Sequence, residues 1–361
     1  MKTHILNITK LLIFLLLTIY LITYLGKVFM PKYWHDDLQG AIYSVKGFYE
    51  IPNNTLDVVF VGTSSINRSI SPMQIYDREG ITSFNYSAPS ARVYTIYYFI
   101  KDILQYQKPK VIFVDTCTFF YEEKESEPLR RKSFDFMKMS KVKKEMIDDK
   151  VFENTTLDKI SYYFPLFRFH TRWNELRIRD VRDAHKRFYS INKGALISGK
   201  INPNDKDYSY MKPTGKKVEM QSYSLEYFYK IIQLCEDNGI DLVFLGMPDA
   251  IVWNYESSKE MEKLVANTSS KFIDINDKNN VEINWHEDTE DNGWHLNAIG
   301  TTKVTNFITD YLVQNYDFTN HKNDEKYSKW NEDLKRYIKI EKNAIESIKT
   351  KIKQNEKPSK K

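Results

Sequence analysis

Two short segments, far apart in the chain, carry the residue types that nucleophilic acyl chemistry requires. The first is Gly62-Thr63-Ser64-Ser65, directly after the apolar run Asp57-Val58-Val59-Phe60-Val61. A glycine at the carboxyl end of a buried strand lets the backbone turn sharply. A serine just after it is exposed at the start of the next helix, where backbone N–H groups favour a developing oxyanion. Ser and Thr are also ordinary helix N-caps, so this block alone specifies no chemistry. The second segment is Trp294-His295-Leu296-Asn297-Ala298-Ile299-Gly300, opening the last amphipathic pattern. A serine hydroxyl is a poor nucleophile without a base in hydrogen-bond reach, and histidine is the usual base near neutral pH. Asp288, Glu290 and Asp291 lie just before His295, and a carboxylate on that loop can orient the imidazole. The other six histidines lack this setting. The expectation is Ser64 as nucleophile, His295 as base and Asp291 as the third member.

Positioning residues so distant in sequence requires a scaffold. Continuous apolar runs occur at 57–62, 83–86, 110–115, 241–246 and 271–275, the pattern of strands buried on both faces. Between most of them lie helical patterns at 91–106, 224–238, 256–268 and 298–315. Strands alternating with helices of this length predict an α/β domain, a three-layer sandwich around a five-stranded parallel sheet, over residues 57–315. The alternation breaks at about 122–220, a charged stretch with helix-like segments at 139–150 and 172–189, which reads as a helical insertion or cap on the sheet. No repeat of 20–50 residues is visible.

Residues 11–26 contain no charge; Lys2 and Lys10 precede them and Lys27 follows. Sixteen helical residues span about 24 Å, and flanking lysines with Val28-Phe29-Met30 extend the reach towards a bilayer core of roughly 30 Å. No small-x-small cleavage site follows, so residues 1–30 read as an uncleaved anchor, with a cleaved signal peptide as the alternative. In both cases the positive end stays in the cytoplasm and the rest of the chain lies outside it. Residues 31–56 form a connector, and residues 316–361 a basic, helical tail. The segment 321–361 holds thirteen Lys/Arg against seven Asp/Glu, more than the whole net charge of +5. The folded domain is thus near neutral, which argues against a nucleic-acid partner. The tail reads as a solvated helix, or as a basic helix touching a membrane surface or anionic wall polymers. Cys117 and Cys235 each fall in or beside a buried element; a disulfide between them is open, and no spacing suggests a metal or cofactor site.

Taken together, the Gly-Thr-Ser-Ser block after the first strand and the His-Leu-Asn-x-x-Gly block before the last helix resemble the SGNH/GDSL hydrolase superfamily, over about residues 57–121 and 224–315. With the anchor, the resemblance is to extracytoplasmic members that accompany membrane-bound O-acyltransferases, such as the D-alanyl transfer protein and the alginate and peptidoglycan O-acetylation proteins. The stretch 163–173 is similar to one found in such proteins, less specifically. The resemblance implies an O-acyltransferase, with an acetyl group the expected cargo, acting on a wall or secreted polysaccharide beside a membrane-bound acyl exporter. An anchored carbohydrate esterase and a non-catalytic, polysaccharide-binding partner are the alternatives. Three departures stand out. The family spacing Asp-x-x-His falls on Asn292, and Asp291 is one residue further out. The second block, Asn85-Tyr86-Ser87-Ala88-Pro89-Ser90, has no glycine, which leaves a backbone N–H of Ser87 or Ala88 as the expected oxyanion donor. The third block, Val114-Asp115-Thr116-Cys117-Thr118, lacks the family's Asn. His170 and Arg172, if the insertion caps the sheet, would bind an anionic acceptor near Ser64; pairing of Arg172 with Glu175 is the structural alternative.

Overall fold

A computed structural model of the chain describes residues 2–32, 41–205 and 207–355. Residues 33–40 of the expected connector and 356–361 of the tail lie outside the described residues. The chain runs α1 (Lys2–Phe29), α2 (Ala41–Phe48), β1 (Val58–Gly62), α3 (Ser64–Ser69), α4 (Pro72–Glu79), β2 (Ser83–Ser87), α5 (Val93–Ile103) and β3 (Val111–Asp115). There follow α6 (Glu127–Phe134), α7 (Lys141–Asp148), α8 (Thr156–Tyr163), α9 (Leu166–Phe169) and α10 (Ile178–Arg182). The alternation then resumes with α11 (Ser222–Asp237), β4 (Asp241–Gly246), α12 (Tyr255–Val265), β5 (Lys271–Asp274), α13 (Ala298–Asn315) and α14 (Ser328–Asn355).

Residues 39–136 and 189–361 make one compact unit, and residues 1–38 with 137–188 make another. The first contains a five-stranded, all-parallel sheet in the order β2-β1-β3-β4-β5. Every residue of β1, β2 and β3 is buried, which is why β1 and β3 read as nearly unbroken apolar runs, while β2 alternates Phe84 and Tyr86 with polar residues. Val58, Phe60, Val111, Phe113, Val243 and Leu245 face a core built with Ile66, Ile75, Val304 and Ile308 from α3, α4 and α13. On the opposite face Tyr86 packs on Phe99 of α5, ring centroids 4.8 Å apart, and Phe244 stacks on Phe228 of α11 at 5.1 Å. Strand order reverses between β1 and β3, and the crevice at the carboxyl ends of that pair is where open α/β sheets bind their ligands.

The charged stretch after β3 is not one insertion. Residues 122–136 and 189–220 belong to the sheet unit, and 137–188 to the unit that holds α1. The expected helix at 139–150 is α7, whereas 172–189 contains only the short α10 and 3₁₀ turns. Within the sheet unit, residues 193–204 act as a strap. Lys193 and Asn85 join by a backbone bond on the outer edge of β2, Leu196 N–H donates to Asn67 of α3, and Asn202 N–H donates to Thr289.

The tail also differs from a solvated helix. Trp330, Asp333, Tyr337, Ala344 and Ile348 of α14 are buried. Tyr337 shares a hydrogen bond with Ser71 (2.7 Å), and Tyr76 donates to Asn331. The docked stripe is aromatic and polar, so a search for aliphatic residues at helical spacing misses most of it. In the second unit, α1 is apolar with exposed side chains over most of its length and is long enough to cross a membrane.

Candidate active site

Gly62 closes β1 where only a glycine fits: a Cβ there would lie 2.5 Å from Cβ of Asp115 and 2.6 Å from Cγ1 of Ile66. Thr63 is the N-cap of α3, its hydroxyl oxygen accepting the Ser65 N–H, and Ser64 is the first helical residue. Asp115, at the end of β3, fixes this turn from beneath. Its Oδ2 accepts the Thr63 hydroxyl at 2.5 Å and the Thr63 N–H at 3.3 Å, and its Oδ1 accepts the Cys117 N–H. Burial raises the Asp115 pKa, against the pull of these bonds. Asn85 of β2 supports the helix from the other side, its amide donating to the carbonyls of Ile66 and Ile70.

His295 sits at the end of a narrow loop. Thr289 and Leu296 form an antiparallel bridge, and Glu290 N–H bonds the His295 carbonyl. Asn297 then caps α13 by accepting the N–H groups of Ile299 and Gly300, while its amide donates to the carbonyls of Glu287 and Thr289. Across this scaffold His295 Nε2 lies 2.8 Å from Ser64 Oγ, and His295 Nδ1 lies 2.5 Å from Asp291 Oδ2. The second Asp291 oxygen accepts the backbone N–H of His295 at 2.8 Å. With Asp291 ionised, Nδ1 carries the proton and the Nε2 lone pair faces the serine hydroxyl. Burial alone would raise the Asp291 pKa, but the bonds and charge of His295 and the charge of Arg68 outweigh it and hold the carboxyl below its ordinary value.

The candidate carboxylates before His295 thus have different tasks. Asp288 is fully buried and bonded to Lys303 and to the Asn284 N–H. Glu290 is ion-paired to Arg68, one helical turn beyond Ser64. Asn292 turns away, its N–H on the Asn202 carbonyl and its own carbonyl on the Asn204 side chain. The extra residue relative to Asp-x-x-His is taken up by two successive left-handed residues, Asn292 (φ 63°) and Gly293 (φ 95°).

Two other expectations meet different partners. The Ser87 N–H donates to Ser44 Oγ at 2.8 Å, and the Ala88 N–H donates to the Gly62 carbonyl at 3.2 Å. Both amides are engaged, so neither is a free oxyanion donor in this conformation. The Ser64 N–H, at the first position of α3, has no carbonyl within the helix to bond. His170 and Arg172 belong to the unit that holds α1. His170 Nδ1 contacts the Phe167 carbonyl, and Arg172 bonds Glu175 and the Phe29 carbonyl at the end of α1. Arg172 is thus committed to the end of the apolar helix.

Sequence reasoning passed over Asp115, Arg68 and Asp249. Asp249 is buried beyond β4; its Oδ1 accepts the N–H groups of Ile251 and Val252, and burial lifts its pKa to about 6 against those bonds and the charge of His295. No local motif marks Asp115 or Arg68, because each acts through a partner distant in sequence, Thr63 and Glu290, and the bonds of Asp249 to Ile251 and Val252 are those of an ordinary turn. Both cysteines are buried and free. Glu290, Asp291 and His295 are, among the described residues, the one set of three His, Cys or acid side chains with ligating atoms all within 4.8 Å of one another. Their bonds to Arg68, to one another and to Ser64 account for that closeness. No family profile matches the chain, and no curated protein is similar enough in sequence to count as a relative.

Proposed function

We propose that the protein is a membrane-anchored serine acyltransferase of the SGNH type. The observation that carries this reading is the continuous relay Ser64 Oγ–His295 Nε2 and His295 Nδ1–Asp291, at 2.8 and 2.5 Å. The flavodoxin-like strand order and the position of Ser64 at the reversal point agree with that superfamily's architecture. Ser64 Oγ attacks the acyl carbonyl while its proton passes to His295 Nε2. The donor's leaving oxygen then takes that proton, and Ser64 is left as an ester. An acceptor hydroxyl in turn gives its proton to Nε2, attacks the ester carbonyl and releases Ser64 as the proton returns to Oγ. The Ser64 N–H is the donor at hand for the oxyanion in both steps.

The acceptor in this reading is a sugar hydroxyl of a wall or secreted polysaccharide. Trp294, exposed beside His295, supplies an aromatic surface of the kind that stacks on sugar rings. The donor is an acyl group, acetyl in the first instance, exported by a membrane-bound O-acyltransferase. The apolar α1, long enough to cross a membrane, supports that pairing; in this reading it holds the chain there with the sheet unit outside the cytoplasm. The engaged amides of Ser87 and Ala88 favour a second reading, a slow or non-catalytic polysaccharide-binding partner. The two separate by turnover of a chromogenic acetyl ester with and without an oligosaccharide acceptor. Acetylated oligosaccharide formed by the wild type and lost in Ser64→Ala and His295→Ala supports the transferase. Acetate release that ignores the acceptor points to an esterase, and no turnover by the folded protein to the binding partner.

A further inference from the structure

Part of the unit that contains α1 turns its large apolar side chains outward. On α8 the buried side chains are Ser161 and Tyr162, whereas Leu157 is 76% exposed. Leu157 and Ile160 share one face of α8, the rings of Phe164 and Phe167 meet edge to face at 6.2 Å where α9 begins, and all four are exposed. Beyond them Trp173 is 73% and Ile178 87% exposed. Scattered exposed apolar residues are ordinary, but a run of large ones on consecutive short helices marks an interaction surface.

This surface is continuous with the end of the apolar helix. The backbone of Gly26 lies against Pro165 and Leu166, and the Tyr24 ring stacks on His185 at 5.6 Å. Arg172 caps the Phe29 carbonyl. Just past α1, Lys32 is buried, with Nζ 3.4 Å from the carbonyls of Val28, Met30 and Asp180. Beside it lies an open cavity of about 430 Å³ whose cations are Lys32, Arg172, Arg177 and Arg179, against Glu175 and Asp180. Over residues 156–188 there are eight Lys/Arg and four Asp/Glu. Arginines interleaved with Trp, Phe and Ile suit one environment in particular, the boundary between lipid headgroups and acyl chains.

We propose that residues 156–182 form a collar seated in the membrane interface around the end of α1, with its apolar side chains among the acyl chains and its exposed arginines, Arg177 and Arg182 among them, on anionic lipid phosphates. The inference rests on the anchoring half of the function proposed above and is independent of its chemistry. The collar would fix how deeply α1 sits and remove Trp173 and Ile178 from water. A soluble protein partner covering the same face is the competing occupant.

The test uses the full chain, reconstituted into vesicles of phosphatidylcholine with or without phosphatidylglycerol. An environment-sensitive fluorophore is attached at single cysteines introduced as Phe167→Cys, Trp173→Cys or Ile178→Cys, the two native cysteines being buried. Phe14→Cys in α1 and Lys263→Cys on exposed α12 serve as references. Collar labels quenched by lipids with shallow spin labels, several-fold more than the Lys263 site, and more strongly with phosphatidylglycerol present, support the proposal. Collar labels that iodide quenches as readily as the Lys263 label overturn it, as do labels shielded from both quenchers, which indicate a protein contact. Equal quenching in the two vesicle types overturns the arginine–phosphate contact. If the Phe14 label also escapes deep lipid quenchers, the anchor itself fails; if it alone is quenched, the anchor stands and the collar fails.

Discussion

Asp291 spans its own loop, one carboxyl oxygen on the backbone N–H of His295 and the other on its ring, so a single side chain sets both the backbone at His295 and the tautomer of that imidazole. An amide in its place keeps the shape but turns an N–H₂ towards Nδ1 and favours the wrong tautomer. Asp291→Asn therefore lowers turnover of an acetyl ester, by on the order of 10⁴-fold, with little change in melting temperature. Asn292→Asp in that background does not restore it, because the left-handed backbone of residue 292, tied to Asn202 and Asn204, leaves its side chain exposed while that of residue 291 meets the ring. Steady-state kinetics on the pair of variants checks both statements. The sequence put forward Asp291 among the acids before His295, one residue outside the family spacing; what spacing alone does not reveal is the left-handed Asn-Gly bend that absorbs that residue.

At the scale of elements, α14 is fastened by a charge pair with no exposure at all. Lys193 Nζ lies 2.5 Å from Asp333 Oδ2 and 4.7 Å from the ring centres of Tyr189 and Trp330. Burial pulls the Lys193 pKa down to about 8, against the opposing pull of Asp333. Removing one partner leaves the other charge buried, so Asp333→Ala costs about 3–5 kcal/mol in denaturant unfolding. Lys193→Met combined with Asp333→Leu costs less than that single change. The five strands and the helices between them were legible because burial on both faces writes continuous apolar runs and burial on one writes a helical stripe. The strap at 193–204 was not, since backbone bonds to Asn85, Asn67 and Thr289 leave no side-chain pattern. Nor was the docking of α14, whose contact stripe mixes Trp330, Asp333 and Tyr337. The collar was hidden for the opposite reason: its apolar face is outward, so it reads as the buried face of a helix.

For the molecule as a whole, buried acids tie stability to pH, and the pKa of Glu125 stands closer to neutrality than that of Asp249. Glu125 is buried, and among the described residues neither of its carboxyl oxygens has a hydrogen-bond partner. Burial raises its pKa to about 7, against the pull of Arg92 and Arg130. An unfolded glutamate ionises near about 4.3, so between that pH and about 7 the folded state holds the extra proton and stability falls as pH rises. The Glu125 share of the loss is on the order of 3 kcal/mol and levels off above its folded value, and Glu125→Gln removes that share while leaving those of Asp249 and Asp115; urea unfolding of wild type and variant across this range reads the difference in slope. The central claim is that one serine, activated by a histidine from the other end of the sheet unit, becomes acylated. The most direct measurement is the intact mass of the full chain after exposure to a phosphonate ester that traps nucleophilic serines. One adduct per chain, mapped to Ser64, absent in Ser64→Ala and strongly slowed in His295→Ala, is the predicted result. A folded chain that stays unlabelled, or that labels equally without Ser64, contradicts the account.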